Sequence, residues 1–222
     1  GKSSEKNSEF FRNGNIEDYS KAIKFITDNG GYVFRMGDKN MKPIIKQEKV
    51  IDYAHHDLKS EFMDIFLAAT SRFCIGTASG FYRVAGYFNV PVILTNTSHT
   101  ITFSSLQPHD IFLPSLLRDN KTNKFLNFET LFSVPFSMVN SNVMKFYKKK
   151  NVSIQKNSSE DIYFATQEML DKIKKKDNYS RTKNQIKFKE IVENNSKIYS
   201  DSKIIAHATL PEKFLEKNQN LL

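Results

Sequence analysis

The 222-residue chain contains no tryptophan and a single cysteine, Cys74. One thiol excludes an internal disulfide, and the neighbours Phe73 and Ile75 read as a buried strand in which cysteine serves as a small hydrophobe. No Cys/His spacing of the kind that metals demand occurs, so neither a metal site nor a cofactor is expected. The chain also lacks any run of about 18 apolar residues, because Arg72 and Arg83 interrupt the best candidate, which argues against a membrane span. The N-terminal GKSSEKNSEFF has no apolar signal core, and a cytoplasmic location is expected.

What is present is enough for one generous domain: 39% of the residues are hydrophobic. The formal net charge is +9 and the pI near 9.4. Much of the positive charge falls in KFYKKK (145–150), DKIKKKD (171–177) and RTKNQIKFK (181–189), which read as helices carrying lysine on their wet faces. A solvated surface is the first reading of that charge. Peripheral attraction to an anionic membrane surface comes second, and nucleic acid is the least favoured partner because no recognition module is evident. A small anionic substrate suits the charge as well.

Residues 1–13 are polar and read as a loose segment. Asn15 reads as an N-cap, with Glu17 and Asp18 in the first turn and Ile16, Tyr19, Ile23 and Ile26 at helical spacing; Gly30 and Gly31 end that helix. Short strands follow at 32–38 and 50–54, then a helix whose face is Leu58, Phe62, Ile65 and Ala69. The stretch RFCIGTASGFYRVAGYFNVPVILTN (72–96) supplies strand, small-residue corner, helix and strand. This alternation predicts an α/β fold: one parallel sheet with helices on both faces. Beyond residue 110 a short strand ending at Pro114, a helix in NFETLFS, a helix begun by Ser158 and Asp161, and a last helix with a Thr209–Glu212 capping box are expected to pack back on that sheet.

Parallel sheets place ligands at the carboxyl ends of their strands. The candidates there are Arg35, Gly37 and Asp38 after the first strand, Asp52 and His55 after the second, Thr77, Ser79 and Gly80 after the third, and Asn96 after the fourth. A corner built of Gly76 to Gly80 lets backbone N–H groups approach an anion at the positive end of a helix, with a hydroxyl from Ser79 and the Arg83 side chain one turn on. Phosphate fits that chemistry. The plainer alternative is that Gly76 and Gly80 serve the turn and close packing while Arg83 points to solvent. Likewise Asp38 either caps a turn or accepts a pair of hydroxyls, and Arg35 either pairs with an acidic neighbour or forks onto a diphosphate. His55 and His56 are candidates for substrate contact or simple helix-start positions; His99, His109 and His207 carry less weight, and none is assigned as a general base. Asp64 reads as a helix-to-loop hydrogen bond.

The order VIDYAHHDLKSEFMDIFLAATSRFCIGTASGFYRVAGYFNVPVILTN resembles the donor-binding half of GT-B glycosyltransferases, in a layout similar to the heptosyltransferase type. RNGNIEDYSKAIKFITDNGGYVFRMGD, DIFLAATSRFCIGTASG and NVPVILTN together resemble a family of bacterial glycosyltransferases associated with surface polysaccharide gene clusters. The likeness runs from about Phe10 to Ser133 and returns in PEKFLEKNQNLL. It implies a Rossmann-like nucleotide-sugar-binding domain at 14–135, a helical extension at 136–222, and transfer of a sugar, without a metal, to a polysaccharide or glycolipid acceptor. Ser79 and Gly80 would hold the diphosphate, Arg35 and Gly37 would line the cleft, and Asp38 or Asp52 would face nucleoside or sugar hydroxyls. Where the heptosyltransferase type has Asp and His flanking the Ser-Gly pair, this chain has Ala78 and Arg83, so the resemblance leaves the donor sugar open. GT-B enzymes use two domains, and with Gly1 in place of Met the expectation is a longer natural protein whose upstream domain supplies the catalytic base. Two other readings stay open: a noncatalytic nucleotide-binding module, and a basic domain that docks on membrane or nucleic acid.

Overall fold

The computed structural model describes residues 14–98, 100–133, 136, 143–175, 178–195, 197–199, 202–203 and 206–222. The polar segment 1–13 and His99 lie outside the described residues. Asn15 leads into a 3-10 turn, Ile16–Tyr19, which runs directly into α1 (Ser20–Asp28). The Asp18 N–H meets the Asn15 carbonyl at 3.0 Å, and the Asn15 side chain makes no capping bond. At the other end Gly30 takes a left-handed φ of 84° and the Gly31 N–H closes on the Ile26 carbonyl at 2.9 Å, as a glycine-ended helix requires.

β1 (Val33–Phe34) and β2 (Val50–Ile51) form a short parallel pair. α2 (Glu61–Thr70) follows, capped by Ser60, whose hydroxyl accepts the Met63 N–H. β3 (Cys74–Thr77), α3 (Gly80–Tyr87), β4 (Val92–Thr97) and β5 (Ile111–Pro114) come next, and the three strands pair in parallel in the order β3-β4-β5. The protein is therefore a mixed α/β fold with parallel sheets, as expected, but the expectation of one sheet is corrected: among the described residues no ladder joins β1 or β2 to β3. The first pair is only two residues deep, and β1 spends the N–H groups of Val33 and Arg35 on the carbonyls of Lys49 and Ile51.

β4 and β5 are buried at every position. Side chains alternate between the faces of a strand, so both faces of this sheet are covered. α3 packs on β3 and β4, whereas α6 (Ser159–Lys175) packs on β4 and β5 with α1 laid against it. Before α6 the chain forms β6 (Leu116–Asp119), α4 (Phe128–Phe132), α5 (Val143–Lys150) and β7 (Val152–Gln155), the last antiparallel to β6. α4 is capped by Asn127, which accepts the Thr130 N–H at 3.0 Å. α6 begins with the reciprocal bonds expected of Ser158 and Asp161: the serine N–H and hydroxyl reach the carboxylate, and the Asp161 N–H reaches the hydroxyl. After it come α7 (Lys183–Asn195), the antiparallel strands β8 (Lys197–Tyr199) and β9 (Ser202–Lys203), and α8 (Glu212–Lys217). The core centres on the rings of Phe103, Phe112, Phe128, Phe132 and Phe188, which meet edge to face at 5.0 to 6.3 Å.

Three further expectations are corrected. The predicted buried face of α2 is exposed: Phe62 is 72% accessible and Ile65 49%, with Leu58 open in the preceding turn, because the small Ala68 is the residue that faces inward. Lys172, read as part of a wet lysine face, is buried, its ammonium held by the carbonyls of Pro108 and Asp110 and the hydroxyl of Thr209. That engagement also removes Thr209 from the predicted capping box. α8 starts from Pro211, the Glu212 N–H goes to Glu168, and the Glu212 carboxylate takes Thr182 and Asn184.

Candidate functional site

The structure sorts the ten predicted residues into two groups and one outlier. The first group sits at the carboxyl ends of β1 and β2. Arg35 is buried, with one guanidinium nitrogen 3.0 Å from Asp52 and another 3.2 Å from the Lys42 carbonyl. The other Asp52 oxygen accepts the Ile44 N–H and lies 2.9 Å from Nδ1 of His55, whose Nε2 stands 3.2 Å from the Lys39 carbonyl. Although burial pushes the Asp52 carboxyl upward, the Ile44 N–H, His55 and Arg35 outweigh it and hold the group below its ordinary range. The pairing of Arg35 with an acidic neighbour is thus realised, and its fork is committed to Asp52 and the loop backbone. Asp38 caps its own turn, accepting the Asn40 N–H at 2.8 Å. Gly37 sits under Met41: a β-carbon there would lie 2.6 Å from the Met41 sulfur.

This group frames an open cleft of about 360 Å³ lined by Asp38, Lys39, Lys59, Ser60, Glu61 and Asp64. Lys59 spans it, paired with Asp64 at 3.0 Å and lying 5.1 Å from the Tyr53 ring centroid. Asp64 thereby makes the helix-to-loop bond expected of it. Lys59 and Ser60 were not singled out in the sequence, and the signal available was the N-cap position of Ser60 directly before the α2 pattern.

The second group is the corner after β3. Thr77 ends the strand, Ser79 is the exposed N-cap of α3, and its side chain makes no capping bond. Open space surrounds the α-carbons of Gly76 and Gly80, where an added β-carbon would meet nothing within 4 Å. The reading of those glycines as a demand of close packing is therefore not met. Arg83 is exposed one turn into the helix, its guanidinium 5.7 Å from the Tyr82 ring centroid. The corner offers a hydroxyl and helix-end N–H groups on an accessible surface, whereas Arg83 lines a separate cleft with Tyr82, Tyr87, Val92 and Asp110 at the amino ends of β4 and β5. Gly14 crosses beside the corner, close enough that a β-carbon there would lie 3.2 Å from the Thr77 methyl.

Asn96 is the outlier. It is 1% accessible and adopts a left-handed φ of 52° where β4 shifts register. Its N–H donates to Oδ1 of Asn157 at 2.6 Å, its own Oδ1 accepts the Asn157 N–H at 2.8 Å, and the Asn157 amide reaches the Pro114 carbonyl. The side chain is thus a buried clasp between β4, β5 and the start of α6. Asn157 carried no sequence signal, because its partner lies 61 positions away.

Burial raises the Cys74 thiol to about 11, which keeps it protonated and inert at neutral pH. Among the described residues no group of three or more His, Cys, Asp and Glu side chains is arranged to hold a metal ion, and no helix is long and apolar enough to cross a membrane. Comparison with known proteins finds no matching family model, curated protein or solved structure.

Proposed function

We propose that this chain binds a nucleotide-sugar donor as the donor-binding half of a glycosyltransferase, with a polysaccharide or glycolipid as acceptor and a Rossmann-like, GT-B-type arrangement of its sheets. The observation that carries the reading is the accessible corner Thr77–Gly80, set at the carboxyl end of a parallel strand and the start of α3, with the Ser79 hydroxyl making no capping bond. When a sugar leaves its nucleotide, charge develops on the departing diphosphate. Helix-end N–H groups aimed at that diphosphate stabilise the charge as it forms. The cleft by Asp38 has the volume of a small-ligand site and suits hydroxyl groups, with Lys59 and Asp64 as further polar contacts. Arg35, Asp52 and His55 support this reading as the frame that shapes the Asp38 loop. No catalytic base is assigned among the described residues.

The test is calorimetric titration and thermal shift of the chain with nucleoside diphosphates and nucleotide sugars, repeated with Ser79→Trp. The expected outcome is stabilisation of about 2.7 kcal/mol at a ligand concentration of 100 Kd in the parent chain, and none in the variant. A folded parent chain that binds none of these ligands, or a Ser79→Trp variant that binds them equally well, overturns the reading.

A further inference from the structure

One concentration of positive charge brings the lysine-rich helix α5 together with the segment around β6. The turn that follows β6 and the end of α5 lie side by side: the Asn120 N–H meets the Asn151 carbonyl at 3.0 Å, and Asp119 pairs with Val152. Segments 116–126 and 143–157 contain eight basic residues, Arg118 and seven lysines, against one acid, Asp119. They hold a net +7 in a chain whose total is +9. The single acid is spent locally, since its carboxylate accepts the N–H groups of Lys121 and Thr122 at 2.7 and 3.1 Å. Lys121, Lys124, Lys145, Lys148, Lys149 and Lys150 are all exposed, and among the described residues none of them makes a salt bridge. Other lysines differ: Lys172 is internal and Lys189 meets Glu193, while Lys175, Lys183 and Lys187 are exposed on other elements.

We propose that this knob is a docking surface for an anionic lipid bilayer. Lysine is a compact, hydrated charge on a flexible stem, which suits mobile headgroups better than the planar fork that fixed phosphates favour. Single-stranded nucleic acid binds where aromatic faces are open for stacking. Here the three aromatics of the knob are covered instead: Phe125 packs on the core beneath the Arg118 guanidinium, Phe146 does so beside Lys150, and Tyr147 is buried. The inference stands on charge and exposure alone and is independent of the donor-site reading.

The experiment is co-sedimentation of the chain with vesicles of phosphatidylcholine, with or without phosphatidylglycerol, at an ionic strength of about 0.15 M. The parent is compared with Lys121→Glu/Lys148→Glu/Lys149→Glu and with a charge-matched control, Lys175→Glu/Lys183→Glu/Lys187→Glu, all at exposed positions. Expected is binding that requires phosphatidylglycerol, falls at least about tenfold in the knob variant and persists in the control. Circular dichroism melting curves that coincide for the two variants show that the loss is not unfolding. Equal loss in both variants, or no binding of the parent to anionic vesicles, overturns the proposal. So does an oligonucleotide that binds the parent as tightly as the vesicles with the same dependence on the knob.

Discussion

Lys172 carries its ammonium into the interior, against two carbonyls, the Thr209 hydroxyl and the Tyr179 ring. Burial lowers its pKa to about 8, with Glu168 on the same helix acting in the opposite direction. Between about pH 8 and the unfolded value of 10.5 the unfolded chain holds this proton and the folded chain does not. The contribution of this residue to stability therefore rises with pH across that window, by about 3 kcal/mol in all. The buried hydroxyls of Tyr147 and Tyr179, raised by burial, work in the opposite sense at the alkaline end. Comparing parent and Lys172→Met isolates the lysine: urea unfolding at pH 8 and pH 10 should show the parent gaining on the variant as the pH rises, whereas parallel behaviour would mean that the ammonium is solvated. Sequence reading missed this residue because KIKKK has the composition of a wet face, and which lysine turns inward depends on what α6 packs against.

At the scale of elements, the aromatic centre joins pieces far apart in the chain. Phe188 of α7 touches Phe103 of the 3-10 turn Thr100–Ser105 and both Phe128 and Phe132 of α4. Phe188→Ala should cost about 4 kcal/mol in chemical denaturation, because the ring leaves a cavity shared by three elements. A loss under about 1 kcal/mol would mean that the neighbouring rings collapse into the space. The elements themselves were largely legible. Ser158 and Asp161 announce α6, Asn127 announces α4, and the small-residue corner marks the joint between β3 and α3, since each is a local rule written in adjacent residues. The pairing of elements was less so. β6 was not anticipated, because Leu116–Asp119 has little strand character alone and gains its ladder from Val152–Gln155. Thr209 and Glu212 obey the capping pattern and are outbid by tertiary partners. At the site, the residue types were readable, but the locking of Arg35 onto Asp52 and the withdrawal of Asn96 into the core depend on contacts that no local pattern encodes.

Across the whole molecule, apolar surface is left open on one side. Leu58, Phe62, Ile65 and Phe66 of α2 and its leading turn, with Tyr87 and Phe88 at the end of α3, are each between 47% and 84% accessible, and α2 packs directly on α3. Such exposure favours self-association at high concentration. Phe62→Ser/Phe66→Ser should leave the unfolding free energy within about 0.5 kcal/mol of the parent while lowering light scattering in concentrated solution. A large loss of stability would show that the stacked Phe62 and Phe66 rings matter to the fold. The Asn96–Asn157 clasp has a consequence of a different kind, in the order of assembly. The left-handed turn at the end of β4 finds its partner only when the chain has grown 61 residues further. A nascent chain halted before Asn157 holds β3, β4 and β5 with that turn unclosed, so the parallel sheet is completed late, as α6 arrives.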